Sequence, residues 1–197
     1  RSVHTAVIHG PSGSGRSHLC HTLTRTALED GSVILLKAQH GPFAGAMDGL
    51  RGMLLDLFGC DSLEIEAVTE NVSAGLVAWG MSEERFLQPL ALAISRGVFP
   101  APRARHQLLR DFIADLSQIR PVVLWVDDAQ WDADTLAFSQ FLRQEERGKL
   151  ALLLLLVVRE GWPSEVVRGA AGQTVPRQGP RTIWMNVQPL LMPERMN

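Results

Sequence analysis

The chain has 197 residues, 46% hydrophobic and 20% charged, an ordinary globular balance for one α/β domain able to bury a full core. A formal net charge of −2 and a pI of about 6.3 speak against bulk attraction to nucleic acid or to an anionic membrane. Two cysteines, Cys20 and Cys60, cannot build a disulfide framework; with no signal peptide at the N-terminus they point to a reducing, cytoplasmic compartment.

In chain order, Val3 to His9 is a short β-prone segment that ends at Gly10. The glycine- and serine-rich loop Pro11 to Gly15 follows. Ser17 to Leu28 reads as a helix, with Leu19, Leu23 and Ala27 near helical spacing. Asp30-Gly31 signals a turn, and Val33 to Leu36 a second, buried strand. Phe43 to Phe58 predicts a helix on the stripe Phe43, Met47, Leu50, Leu54 and Phe58. Residues 61–102 are less regular and read as a helical insertion, with pieces at Leu63–Thr69, Val72–Trp79 and Glu83–Ser95. Ala104 to Ile119 is a stronger helix carrying Leu108, Leu109, Phe112, Ile113 and Leu116. Val122 to Val126 is a third strand, and Asp132 is a cap for a helix running to about Glu146. Leu150 to Val158 is a fourth strand, far short of the roughly 20 residues of a membrane span. Gly169 to Pro180 is a loop, and Thr182 to Val187 a fifth strand. Short, all-apolar strands separated by helices predict a parallel sheet covered on both faces. The chain starts at Arg1 almost on a strand and stops soon after another, so we read it as a fragment of a longer protein.

Two segments carry chemistry. Gly10-Pro-Ser-Gly-Ser-Gly-Arg-Ser17 matches the phosphate-loop pattern G-x-x-x-x-G-K-[ST], except that Arg16 stands where lysine belongs. Glycines let the backbone turn its N–H groups inward around a phosphate, and the following helix points its positive end there. The residues expected to hold nucleotide are Gly10, Ser12, Gly13, Ser14, Gly15, Arg16 and Ser17, with the Ser17 hydroxyl also on Mg²⁺. Arginine presents a wide planar fork where lysine presents a point charge. Misplacing one stabiliser of transition-state charge costs on the order of 10²–10³ in rate, so binding survives this change more readily than turnover. The second segment is Val122-Val-Leu-Trp-Val-Asp-Asp128, an apolar strand ending in two carboxylates where a parallel sheet collects its ligands. Asp127 is expected to hold Mg²⁺ and Asp128 to polarise the attacking water. Without the loop, the same pair reads as a solvated start to the next helix.

Together, GPSGSGRS, VVLWVDDAQWDADTLAF and LALLLLLVVRE resemble the nucleotide-binding domain of the signal-transduction ATPases with numerous domains, relatives of the AAA ATPases. Asp127-Asp-Ala-Gln-Trp131, followed by Asp132 and Leu136, is the most specific piece. Val187-Gln-Pro-Leu190 with Glu194 is similar to the stretch that leads into the family's helical lid. The resemblance covers nearly the whole chain. It implies a three-layer α/β/α P-loop fold with strand order 5-1-4-3-2, ATP or ADP with Mg²⁺ as ligands, and neighbouring output domains such as a kinase, a cyclase or a DNA-binding domain. By position it carries over Asp127 as the magnesium acid, Asp128 as the catalytic acid, and Arg159 as the polar sensor of the γ-phosphate. Read alone, Arg159 is a surface arginine after a strand. The family's base-holding segment would precede Arg1, and its lid would follow Glu194.

Other residues read as structural. His18 and His21 are one turn apart, but no third ligand accompanies them. Cys20 is a small packing residue. Trp131 either lines a pocket or packs at a helix start, and Trp79, Trp162 and Trp184 show no base-stacking pattern. Four functional alternatives stay open: a nucleotide-switched regulatory module, a pseudo-ATPase scaffold with no nucleotide role, a small-molecule P-loop kinase, against which Asp127-Asp-Ala-Gln-Trp131 argues, and a replication-initiator-like AAA protein. The last needs a basic DNA-binding appendage that the charge does not show.

Overall fold

The structure, a computed structural model, describes residues 1–43, 45, 49–97, 102–144, 150–159 and 181–188. Five strands, β1 (Val3–Gly10), β2 (Ile34–Gln39), β3 (Val122–Asp127), β4 (Leu152–Arg159) and β5 (Thr182–Asn186), form one parallel sheet in the order β2-β3-β4-β1-β5. Read from the other edge, this is the order 5-1-4-3-2 that the resemblance implies. Among the described residues six helices accompany it: α1 (Arg16–Glu29), α2 (Gly49–Phe58), α3 (Ile65–Ala78), α4 (Glu83–Arg96), α5 (Pro102–Ile119) and α6 (Ala133–Gln144). A short 3₁₀ turn at Ala129–Trp131 joins β3 to α6.

β3 and β4 are apolar up to their last residues because both of their faces are covered. Ala6, Ile8, Val123, Trp125, Leu155 and Val157 meet Cys20 of α1 on one face. Alternate residues, including Val7, Leu124, Val126, Leu154 and Leu156, pack against α2 to α6 on the other. The result is a three-layer α/β/α fold of the P-loop NTPase type.

Three expectations need correction. The stripe of α1 is not Leu19, Leu23 and Ala27. Arg16, Cys20 and Thr24 are the buried residues, and Leu23 is 52% exposed. A polar residue can hold an inner position when its bonds are satisfied, and Thr24 donates its hydroxyl to the Cys20 carbonyl at 2.9 Å. Secondly, α2 starts at Gly49, and Phe43 lies outside it with 88% exposure; Met47 is outside the described residues. Thirdly, the two helical pieces expected at 63–69 and 72–79 are one helix, α3. Glu70 and Asn71 do not break it, because Val68, Val72 and Leu76 step by four into the core. The expected loop 169–180, Trp162, and the Pro189 to Glu194 stretch lie outside the described residues.

The helices of the 61–102 stretch share the main core. Phe86 of α4 and Phe112 of α5 meet edge-on at 5.6 Å, and Phe112 also faces Phe58 (5.8 Å) and Trp79 (6.4 Å). Phe112 is fully buried. Phe112→Ala is therefore expected to cost about 3–5 kcal/mol in urea unfolding. A loss below about 1 kcal/mol would show that this cluster is not part of the cooperative core.

Candidate functional site

The residues expected to hold nucleotide and Mg²⁺ or to act on water, Gly10 to Ser17, Asp127, Asp128 and Arg159, come to the C-terminal ends of β1, β3 and β4. These strands are adjacent in register, with Gly10 opposite Arg159 and Val126 opposite Leu156. The loop between β1 and α1 turns through Gly13 and Gly15, whose φ of 77° and 88° favour glycine. Neither glycine has an atom within 4 Å of where a Cβ would stand, so that side of the loop is open. Gly10 is required for a different reason: a Cβ there would lie 2.1 Å from the Val187 carbonyl oxygen after β5. The hydroxyl of Ser14 is buried without a hydrogen-bond partner among the described residues. A buried, unpartnered hydroxyl in an open glycine loop fits an incoming phosphate oxygen, and the first turn of α1 adds N–H groups with no intrahelical carbonyl.

Ser17, on that first turn, donates its hydroxyl to the Asp127 carboxylate at 3.0 Å. Asp127 is buried at the end of β3. One hydroxyl and one carboxylate converging beside a phosphate loop is the hard-oxygen donor set that Mg²⁺ takes, the other positions being filled by phosphate and water. Among the described residues no group of three His, Cys, Asp or Glu could hold a metal ion by itself, and His18 and His21 are exposed. Beneath Asp127, burial first and the Asp127 charge second push the Cys20 thiol up to about 12, so Cys20 is an inert packing group.

Asp128 takes the left-handed conformation, φ 50° and ψ 44°, which an aspartate tolerates at a sharp turn. Its carboxylate lies 3.9 Å from the Arg16 guanidinium and accepts from the Gln130 amide at 2.9 Å. The oxygen of that same amide accepts from the Arg159 backbone N–H at 3.2 Å. Buried Gln130 thus ties the acidic end of β3 to the basic end of β4. Sequence reasoning quoted Gln130 and assigned it no role. Its one available signal is an amide two residues after an acid, a spacing that permits a local side-chain bond. Arg159 is exposed and donates to the Ser12 hydroxyl at 3.1 Å, so it faces the loop.

Arg16 does not point outward. Its guanidinium is buried and donates to the carbonyls of Gly10 (2.5 Å) and Val158 (2.8 Å), at the ends of β1 and β4. Asp132 caps α6 as expected, accepting from the Asp134 N–H at 2.9 Å and the Thr135 hydroxyl at 2.7 Å. Trp131, 45% exposed, lines a cavity of about 270 Å³ with His40, Arg51, Arg105 and Asp132.

At the edge of that cavity Asp134 pairs with Arg105 and with His106 (3.2 Å). Burial works to raise the Asp134 carboxyl, but the His106 bond and the Arg105 and His106 charges outweigh it and hold it below the ordinary value. A depressed carboxylate stabilises the fold at pH above its unfolded value, and this is lost as pH falls through the lower folded value. Asp134→Asn should therefore lower stability at neutral pH and narrow to no difference in strong acid, measured by urea unfolding across pH. A pH-independent difference would contradict the assignment.

The sequence profile of the AAA ATPase domain matches residues 1–172. No curated protein matches the chain. The chain therefore belongs to the AAA ATPase domain family, and it is a P-loop, nucleotide-binding, ATPase-like module. No described helix is long and apolar enough to cross a membrane.

Proposed function

We propose that, as an AAA ATPase domain, this chain binds ATP and ADP with Mg²⁺ as a regulatory module of a multidomain signalling protein, and that its hydrolysis is slow. The observation that carries the reading is the 3.0 Å contact between the hydroxyl of Ser17 at the start of α1 and the carboxylate of Asp127 at the end of β3, which supports a shared cation position. In this reading the loop from Gly10 to Gly15 wraps the phosphates, with Ser12 and Ser14 adding hydroxyls. Ser17 and Asp127 hold Mg²⁺, Asp128 is the acid that orients water, and Arg159 faces the terminal phosphate. The resemblance to the signal-transduction ATPases with numerous domains supports the regulatory role. In it, the nucleotide biases contacts with a kinase, cyclase or DNA-binding neighbour in a cytoplasmic protein.

Calorimetric titration of the protein with ATP and with ADP, each with Mg²⁺ and with EDTA, tests the reading. Binding that strengthens with Mg²⁺ supports it. No binding heat, together with no rise in melting temperature at millimolar nucleotide, sinks it.

One observation favours a second reading, a scaffold without a nucleotide role: the guanidinium of Arg16 is spent on Gly10 and Val158. Nucleotide binding absent both from the natural protein and from Arg16→Lys would select the scaffold.

A further inference from the structure

We infer that Arg16 is a strand-end staple rather than a phosphate ligand, which leaves Arg159, set at the terminal phosphate in the reading above, as the cation that answers for the loop position. The inference rests on the nucleotide reading above and concerns how this chain carries it out.

The two arginines sit in opposite surroundings. Arg16 is buried, and one guanidinium nitrogen bridges the Gly10 and Val158 carbonyls at the ends of β1 and β4. Another lies 3.9 Å from Asp128. Carbonyl dipoles and a carboxylate therefore already answer its charge. Swinging outward would leave the Gly10 and Val158 carbonyls without this donor and separate Asp128 from its counter-charge, and a phosphate would have to outbid all three. Arg159 is exposed, and among the described residues its side chain makes one hydrogen bond, to the hydroxyl of Ser12 on the loop itself. A neutral hydroxyl is a weak partner for a guanidinium and is readily exchanged for a phosphate oxygen. Gln130 fixes the Arg159 backbone from below, so the side chain works from an anchored base.

The geometry also explains how arginine is tolerated at position 16. A lysine presents one compact ammonium and suits a phosphate. One nitrogen of the guanidinium instead bridges two neighbouring strand ends, joining β1 to β4 where the loop departs, while a second faces Asp128. Residue 16 gives up the phosphate, and the strand paired with β1 provides a replacement charge opposite Gly10.

The test is a crossed comparison of Arg16→Met and Arg159→Gln, with the melting temperature and the Mg-ATP dissociation constant measured for each. Arg159→Gln should weaken Mg-ATP binding by about 10- to 100-fold while leaving the melting temperature within about 1 °C. Arg16→Met should lower the melting temperature by about 5 °C and leave the dissociation constant within about threefold, measured well below its melting point. If Arg16→Met does not fold, Arg16→Gln, which retains a donor for one carbonyl, takes its place. Affinity lost at position 16 and kept at position 159 overturns the inference while sparing the nucleotide reading. Failure of the unsubstituted protein to bind Mg-ATP overturns both.

Discussion

Arg16→Lys is expected to raise steady-state ATP turnover by roughly 10²-fold and to lower the melting temperature of the same protein. The two effects have one origin. Arginine at this position joins the carbonyls of Gly10 and Val158. A lysine ammonium is a compact point charge that suits a terminal phosphate, and it has no second nitrogen to face Asp128 while the first holds both carbonyls. Leaving the carbonyls costs about 1.5–3 kcal/mol, the usual range for a hydrogen bond to a charged group. For a chain of this size that corresponds to about 3–12 °C in melting temperature. In return, a positive charge returns to where negative charge develops in phosphoryl transfer, and Asp128 loses the guanidinium now 3.9 Å away. Phosphate release and thermal melting, measured on one preparation, check both signs. A lysine variant that binds ATP and turns it over no faster would move the deficit away from Arg16 and toward the remaining machinery, Asp128 first.

The sequence and the structure agree where one local pattern determines the outcome. The strands are legible because apolar runs such as Val122 to Val126 have no other stable place than a sheet covered on both faces. The loop is legible because only glycine adopts the φ values at positions 13 and 15 without strain. Ser17 and Asp127, 110 residues apart, are legible as a pair because each ends a recognisable pattern beside the other. What escaped depends on partners that spacing cannot show. Apolar periodicity put the inner face of α1 one position away from Arg16, Cys20 and Thr24, since it does not count a buried arginine satisfied by carbonyls of two other elements. Gln130 escaped for the same reason: its second partner, the Arg159 N–H, lies 29 residues away on β4. The length of α3 was a different failure. Polar residues at 70 and 71 look like a break when counted singly, yet they face outward from a helix whose buried stripe runs straight past them.

Asp127→Ala should abolish the Mg²⁺-dependent part of nucleotide affinity, so that its dissociation constants for ATP with Mg²⁺ and with EDTA coincide. Asp127 is the one carboxylate among the described residues that Ser17 reaches, at 3.0 Å, and it is buried at the end of a strand whose position neighbours fix on both sides. A group so placed has no rotamer by which another acid could substitute; Asp128, the nearest candidate, turns left-handed and is held by Gln130 and Arg16. Removing one charge-assisted contact of about 1.5–3 kcal/mol corresponds to a loss of about 10- to 100-fold in Mg-ATP affinity. The fold should lose little, because Ser17 is exposed and water can take over its hydroxyl proton. Asp127→Asn separates charge from shape. It keeps an acceptor for Ser17 and discards the negative charge, so it should behave as the alanine variant does toward Mg²⁺ while melting closer to the natural protein. An asparagine variant with full Mg²⁺ dependence would show that the cation is held elsewhere, and the converging Ser17 and Asp127 would then be only a tie between α1 and β3.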